Sequence, residues 1–364
     1  MEDELLLVPG PVAVAKNVLK AQTKQMISHR NREFEEIYRK VCNNLKTMFN
    51  SDEAVLQTGS GSAGIETLVA SAVAQEDYVL ALNNGDFGRR LVETCRVYSN
   101  NVEEFILEEG KGFNLERVKG KLDENSSKPN KIFALAYNET ATGVENKLKE
   151  MALYAKEKGY WVLVDSVSAF AGTDLNMKEW KVDITATGSQ KAIGAPPGLS
   201  MIGMNREIIE KINRNNIRSY YLNLKKLLKF REKNQTPFTP AVSTLYALEG
   251  AIDDALEMGF EKYIAKHRKA ARYVRKELVK RNFALFAEKG FESNTVTAFV
   301  PHIKEGENME EVVKNLKKKL EEKGAIIAGG QGNLKGKILR IAHLGNFKMG
   351  NLRRFFEILD ESVG

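Results

Sequence analysis

Between residues 50 and 205, short runs rich in Val, Ile, Leu and Ala alternate with segments of helical pattern. The runs are EAVLQT, YVLALN, EEFILEE, KIFALAYNE, YWVLVDSVS, ITATGS and LSMIGM, and between them lie SAGIETLVASAVA, FGRRLVETCRVYS, NLERVKGKL and KLKEMALYAKEKG. Nearly continuous apolar strands separated by helices are what a mostly parallel sheet produces when helices cover both of its faces. The pattern therefore predicts an α/β domain with a mostly parallel sheet, whose ligands sit at the carboxyl ends of the strands. From about residue 243 the pattern changes to a long helical tract, STLYALEGAIDDALEMGFEKYIAKHRKAARYVRKELVKRN, with no proline to break it. The strand-like pieces FALFA, NTVTAFVPH, AIIAGG and KILRIAHLG follow, with a helical NMEEVVKNLKKKLEEKG among them. These predict a smaller α+β domain joined by one long helix. The expected division is an N-terminal arm over 1–15, a large domain over 16–245, and the linking helix with the small domain over 246–364. The first forty residues are expected to pack across the two domains or onto a partner.

Composition narrows the class without naming a function. The 364 residues are 43% hydrophobic and 28% charged, enough for a large core. No stretch approaches the roughly 18 apolar residues of a membrane span, and the apolar run in MEDELLLVPG is too short for a signal sequence. A cytoplasmic protein with no membrane partner is expected. Cys42 and Cys95 supply neither a disulfide framework nor a metal-binding spacing, so no metal is expected. A net charge of +7 raises nucleic-acid binding. However, YYLNLKKLLKFREK and VVKNLKKKLEEKG set lysines between leucines at helical spacing, with glutamates close by, which describes the solvated face of an amphipathic helix. No nucleic-acid partner is expected.

Two segments carry candidate chemistry. EAVLQTGSGSAGIETLVASAV runs from a strand through Gly59, Gly61 and Gly64 into a helix, matching G-x-G-x-x-G, and Asp86 lies after the next strand. Free N–H groups and the helix dipole make such a turn an anion site. The same pattern would serve an NAD-dependent oxidoreductase, although more than fifty residues precede it here, or a structural turn with no ligand. The second segment is TGSQKAIGAPPG, in which Lys191 has almost no polar company. A lysine is a nucleophile only when unprotonated, so it needs a site that disfavours its ammonium form. Asp165 ends the buried-type strand YWVLVDSVSAF. A carboxylate beside a lysine is the pairing pyridoxal 5'-phosphate requires, since the acid keeps the ring nitrogen protonated and the ring able to accept electrons. The alternatives are a helix N-cap or ion pair for Asp165 and a surface side chain for Lys191.

LLLVPGP, SHRNREFEEIY, TGSGSAGIE, NNGDFGRR, NETATGVEN, VDSVSAF, TGSQKAIGAPPG, TPAVSTLYAL and ILRIAHLG come in an order and at spacings that together cover nearly the whole chain. In them the sequence resembles the class V aminotransferases of fold type I, and among these the alanine:glyoxylate and serine:pyruvate group. The resemblance implies a seven-stranded, mostly parallel sheet and a homodimer with shared active sites. It implies transfer of an amino group from serine or alanine to glyoxylate or pyruvate by a ping-pong mechanism. Lys191 would bond the aldehyde of pyridoxal 5'-phosphate, Asp165 would pair with the ring nitrogen, and Phe87 would stack on the ring. The backbone of Ser60, Gly61 and Ser62, with the side chain of Gln190, would hold the phosphate. Thr140 would sit near the ring hydroxyl, Thr239 would reach the phosphate from the neighbouring subunit, and Arg340 would clamp the substrate carboxylate. His29 and Arg30 would line the entrance from the partner, or else be a packed histidine and a surface arginine. The chain departs from its relatives at Phe87, where many carry tryptophan, and at Thr236, where some carry tyrosine, which removes part of a π face and one phosphate donor. A 2-aminoethylphosphonate:pyruvate or aspartate-type transaminase is the alternative on the same fold. A cysteine desulfurase needs a thiolate on a loop near the site, and no cysteine follows Cys95.

Overall fold

The computed structural model describes residues 4–303 and 305–363. The seven apolar runs form the strands β1 (Glu53–Thr58), β2 (Tyr78–Asn83), β3 (Asn101–Ile106), β4 (Lys131–Ala136), β5 (Trp161–Asp165), β6 (Ile184–Gly188) and β7 (Leu199–Met204). They make one sheet in the order β1-β7-β6-β5-β4-β2-β3. Strands β2 to β6 pair in parallel, and β7 is antiparallel to both β6 and β1. Apart from the edge strand β3, which is partly exposed, the sheet is buried on both faces with a period of two. Leu80, Phe133, Val162 and Val164 share one apolar cluster with Phe34, Val41 and Leu45 of helix α1 (Arg32–Phe49). Val79, Ile132, Ala134 and Leu163 share another with Leu68 of α2 (Gly61–Ala72) and Leu91 and Val92 of α3 (Asp86–Tyr98). Helices α2 and α3 each start directly after a strand that runs in the direction of the parallel set, which brings their N-termini to the carboxyl edge of the sheet.

The long helical tract is two helices, α4 (Val242–Glu257) and α5 (Phe260–Lys280). Gly259 breaks it with φ of +85°, its N–H turned back onto the Leu256 carbonyl at 2.9 Å. A glycine in the left-handed region ends a helix as surely as a proline, so the absence of proline did not make the tract continuous. The small-domain sheet is antiparallel and runs in the order Ala284–Leu285, Val296–Val300, Leu339–Ala342, Ala328–Gly329. The run AIIAGG serves two sheets, because Ala325–Ile326 pairs instead with Leu5–Leu6 of the N-terminal arm. Helix α6 (Met309–Glu322) and a final helix, α7 (Met349–Val363), cover this domain. The last was not among the expected elements, and it buries Leu352, Phe355, Phe356 and Leu359 in the small-domain core.

The arm crosses between domains. Leu7 donates to the Ile326 carbonyl and accepts from the Ala342 N–H, both at 2.8 Å, and five residues later Val12 donates to the Gln190 carbonyl at 3.2 Å. Both lysine-rich segments are amphipathic helices with solvated outer faces. Leu224–Arg231 buries Leu224 and Leu227, while α6 buries Val313, Leu316 and Leu320 and carries Lys318 beside Glu322 on its outer side. Cys42 and Cys95 are buried free thiols, each pushed up to about 12 by burial. Among the described residues no helix is long and apolar enough to cross a membrane, and no cluster of side chains could hold a metal ion.

Candidate active site

The first wall comes from the turn between β1 and α2. Ser60 is the N-cap of α2 in extended conformation, yet its side chain makes no capping bond. The N–H groups of the first turn, from Gly61 to Ala63, therefore have no intrahelical acceptor and point out of the positive end of the helix. A Cβ on Gly61 would lie 2.9 Å from the Val167 side chain, so only glycine lets this helix end sit so close to the turn that follows β5. Across from it stands α3, which carries the half-buried ring of Phe87 one residue into its first turn.

Between these walls lies a cavity of about 450 Å³, lined among others by Gly61, Ser62, Phe87, Val167, Asp165, Gln190 and Lys191. Asp165 ends β5, and Lys191 follows the neighbouring strand β6 by three residues. The Asp165 Oδ1 accepts the Val167 N–H at 2.8 Å, a local turn bond two residues on, so it caps no helix. Burial raises its carboxyl to about 6, with the Val167 N–H and the charge of Lys191 opposing the rise. Lys191 is 8% exposed, and its Nζ donates to the Pro9 carbonyl at 2.7 Å. Burial lowers this amine to about 8; Asp165 acts against the shift and Arg340 adds to it. The arm comes so close that a Cβ on Gly10 would lie 2.9 Å from Lys191 Nζ. Lys191 is therefore neither a surface side chain nor fully compensated.

Arg340 lies on the strand Leu339–Ala342, with 4% of its surface exposed. Its Nε donates to the Gly329 carbonyl at 2.9 Å, and its Nη1 to the Thr140 carbonyl at 3.1 Å and Gln331 Oε1 at 3.3 Å. Among the described residues it has no ion pair. Burial lowers it to about 10, against the fields of Glu139 and Asp86. A buried guanidinium bonded only to neutral acceptors retains the charge with which to meet an anion.

The other expected residues lie as follows. Thr140 is buried at the loop that Arg340 touches, outside the cavity lining. Thr239 is exposed and lines a separate cleft with Thr58, Tyr221 and Phe238. Thr236 is buried, its hydroxyl given to the Phe238 carbonyl. His29 sits edge-on to Phe34, and Arg30 donates to the Thr236 carbonyl at 2.6 Å and lies over the Phe230 ring, so within one chain both make packing contacts away from the cavity. Asp86 is paired with Arg89 at 3.1 Å on α3.

Three participants were not expected from the sequence. Pro9 and Val167 touch the site by a backbone atom and an ordinary apolar side chain, which leave no chemical signal. Glu139, in NETATG, is fully buried and accepts N–H bonds from Phe87, Gly88 and Ala141. Burial raises it to about 7, opposed by those three bonds. Its neighbour Thr140 was the only residue of that stretch with a legible reason to matter.

The donor set suits pyridoxal 5'-phosphate. Thr140 Oγ1 is buried with no hydrogen-bond partner among the described residues. Such a group is costly unless something completes it. A helix N-terminus for a phosphate, a carboxylate for a ring nitrogen and an amine of lowered pKa for an aldehyde complete the match.

Comparison with known proteins identifies the family. A family model described as aminotransferase class V matches residues 14–338. An uncharacterised aminotransferase of Methanocaldococcus jannaschii is 34% identical over 94% of this chain and 88% of its own length. The L-aspartate–glyoxylate aminotransferase of Paracoccus denitrificans is 28% identical over 94% of this chain and 86% of its own. The crystal structure of alanine–glyoxylate aminotransferase from Nostoc sp. superposes with a TM-score of 0.91 at 27% identity, covering 100% of this chain and 96% of that one.

Proposed function

Because the chain belongs to the class V aminotransferases and has their fold type I architecture, we propose that it is a pyridoxal 5'-phosphate enzyme. It moves an amino group from a small amino acid, serine or alanine, to a small 2-oxo acid, glyoxylate or pyruvate, in ping-pong order. The observation that carries the reading is the buried pair of Lys191 and Asp165 on adjacent strand ends, within the field of an arginine that has no acidic partner among the described residues. Glyoxylate occurs in the names of the Paracoccus and Nostoc relatives, which supports that acceptor.

The backbone of Ser60, Gly61 and Ser62 and the amide of Gln190 would hold the phosphate, joined by Thr239 of the partner subunit in a homodimer with shared sites. Phe87 would offer its ring face, Thr140 its hydroxyl, Asp165 its carboxylate and Lys191 its amine. Bound there, the cofactor would supply an aldehyde that bonds amines and a protonated ring that accepts an electron pair. The chain's own residues do the rest. Arg340 grips the α-carboxylate of each substrate with a planar fork. Asp165 holds a proton on the ring nitrogen. Lys191 Nζ, oriented by the Pro9 carbonyl, takes the proton from the substrate Cα; burial that lowers the amine to about 8 gives it a far larger unprotonated fraction near neutrality than an ordinary lysine has, as a base needs.

One observation favours a second reading. Arg90 lines the same cavity, its guanidinium 4.9 Å from the Phe87 ring centroid, and among the described residues it has no ion pair. A second cation at the mouth would suit a dicarboxylic donor such as aspartate. A half-reaction screen separates the two: single amino acids are added to loaded enzyme and loss of the bound cofactor's visible band is followed. Serine and alanine are expected to react fastest. Reaction with aspartate or 2-aminoethylphosphonate alone would replace the substrate assignment, and reaction with no amine would remove the transaminase reading.

A further inference from the structure

We infer that Glu139 is a positioning residue: its carboxylate fastens the first turn of α3, which carries Phe87, to the loop that carries Thr140, and so fixes the wall on which the cofactor ring would rest. The inference rests on the cofactor reading above. One oxygen, Oε2, accepts from the Phe87 N–H at 3.0 Å and the Gly88 N–H at 2.9 Å; the other, Oε1, accepts from the Ala141 N–H at 2.9 Å. The group is packed as closely as it is bonded, since a Cβ on Gly85 would lie 2.6 Å from Glu139 Cδ. The chain of contacts continues, because the carbonyl of Thr140, between Glu139 and Ala141, accepts from Arg340 Nη1. A single side chain thus joins the ring wall of the large domain to the loop that the small domain's arginine grips.

The chemistry calls for a carboxylate. Two N–H donors at the positive end of α3 and a third from Ala141 on its own loop face this group, and a carboxylate turns an oxygen acceptor toward both sets. Besides the Asp165 carboxylate, the charges of Arg340 and Asp86 belong to the same network. Glutamine has the same shape but must turn its NH2 toward at least one of those donors. The turn carrying Phe87 or the loop carrying Thr140 then loses its attachment, while the fold stays intact.

The test measures equilibrium binding of pyridoxal 5'-phosphate to cofactor-free full-length protein, as wild type, Glu139→Gln, Phe87→Leu and the double variant. Visible circular dichroism of the bound cofactor and thermal midpoints of the cofactor-free forms are recorded alongside. Glu139→Gln is expected to weaken binding on the order of tenfold and to flatten the visible dichroism, as loss of hydrogen bonds to a charged group implies. In the double variant the two losses are expected not to add, because both act through one ring. Unchanged affinity and dichroism in Glu139→Gln, whatever its thermal midpoint, would reduce Glu139 to a helix cap, and fully additive losses would show that it does not act through Phe87. Failure of the wild type to bind the cofactor with a visible band is a different result, and it would overturn the site rather than this role.

Discussion

Replacing Lys191 by methionine should abolish transamination and yet stabilise the cofactor-free protein at neutral pH. Methionine keeps an unbranched side chain, one atom shorter, and removes its charge. Because the buried amine titrates at about 8 instead of the usual 10.5, keeping it protonated in the fold costs about 3 kcal/mol at pH 7. Against this, the variant loses the hydrogen bond from Nζ to the Pro9 carbonyl, a contribution of about 1 kcal/mol. Asp165 also loses the positive charge that favours its ionised form. The net gain expected is about 1–2 kcal/mol, read as a higher urea midpoint for cofactor-free variant than for cofactor-free wild type. The sign with pH follows from the depressed pKa. Below about 8 both folded and unfolded lysines are protonated and the cost is complete. Between 8 and 10.5 the folded protein has released a proton that the unfolded chain still holds, so wild type gains stability as pH rises. Between pH 7 and pH 9.5 this amounts to about 2 kcal/mol, enough to close or reverse the order of the two proteins. A variant that is less stable at pH 7, by an amount that does not change with pH, would mean that the lysine is held without electrostatic strain.

Arg340→Lys should lower kcat/KM for amino donors and oxo acids alike by one to two powers of ten, since loss of bidentate charge-assisted bonds removes on the order of 1.5–3 kcal/mol. Its thermal midpoint should stay near wild type; early melting with unchanged kinetics in the folded fraction would make Arg340 structural. Mixing Lys191→Ala with Thr239→Asp, each inactive alone, should restore one working site per heterodimer after subunit exchange. No recovery, with exchange verified, would argue that each site is built from one chain.

Most of the sheet was legible because its strands, apart from the edge strand β3, are buried on both faces and so read as apolar runs, and Asp165 and Lys191 stood out as charges at the ends of two of them. The glycine turn was legible as an anion site but equally as a dinucleotide turn, because both use the same helix end; only the lysine and its acid separated them. Glu139 was opaque, since burial of a glutamate depends on three N–H donors, two of them about fifty residues away along the chain. Pro9 was opaque for the same reason at greater distance, its contact with Lys191 spanning 182 residues. The break at Gly259 was written in the sequence, but a single glycine in a helical pattern is also tolerated, as Gly250 is inside α4.

The N-terminal arm has a mechanical meaning. Leu7 is anchored to the small domain on both sides, and the carbonyl that holds Lys191 Nζ belongs to the second residue after it. Two residues of chain reach at most about 7 Å, so the carbonyl at Pro9 stays within that distance of the anchor at Leu7. The strand that carries Arg340 is bonded through Ala342 to Leu7, so its position bounds where that carbonyl can lie. The arm is in effect a pull-cord between the residue that would sense a substrate's carboxylate and the amine that would act on its neighbouring carbon.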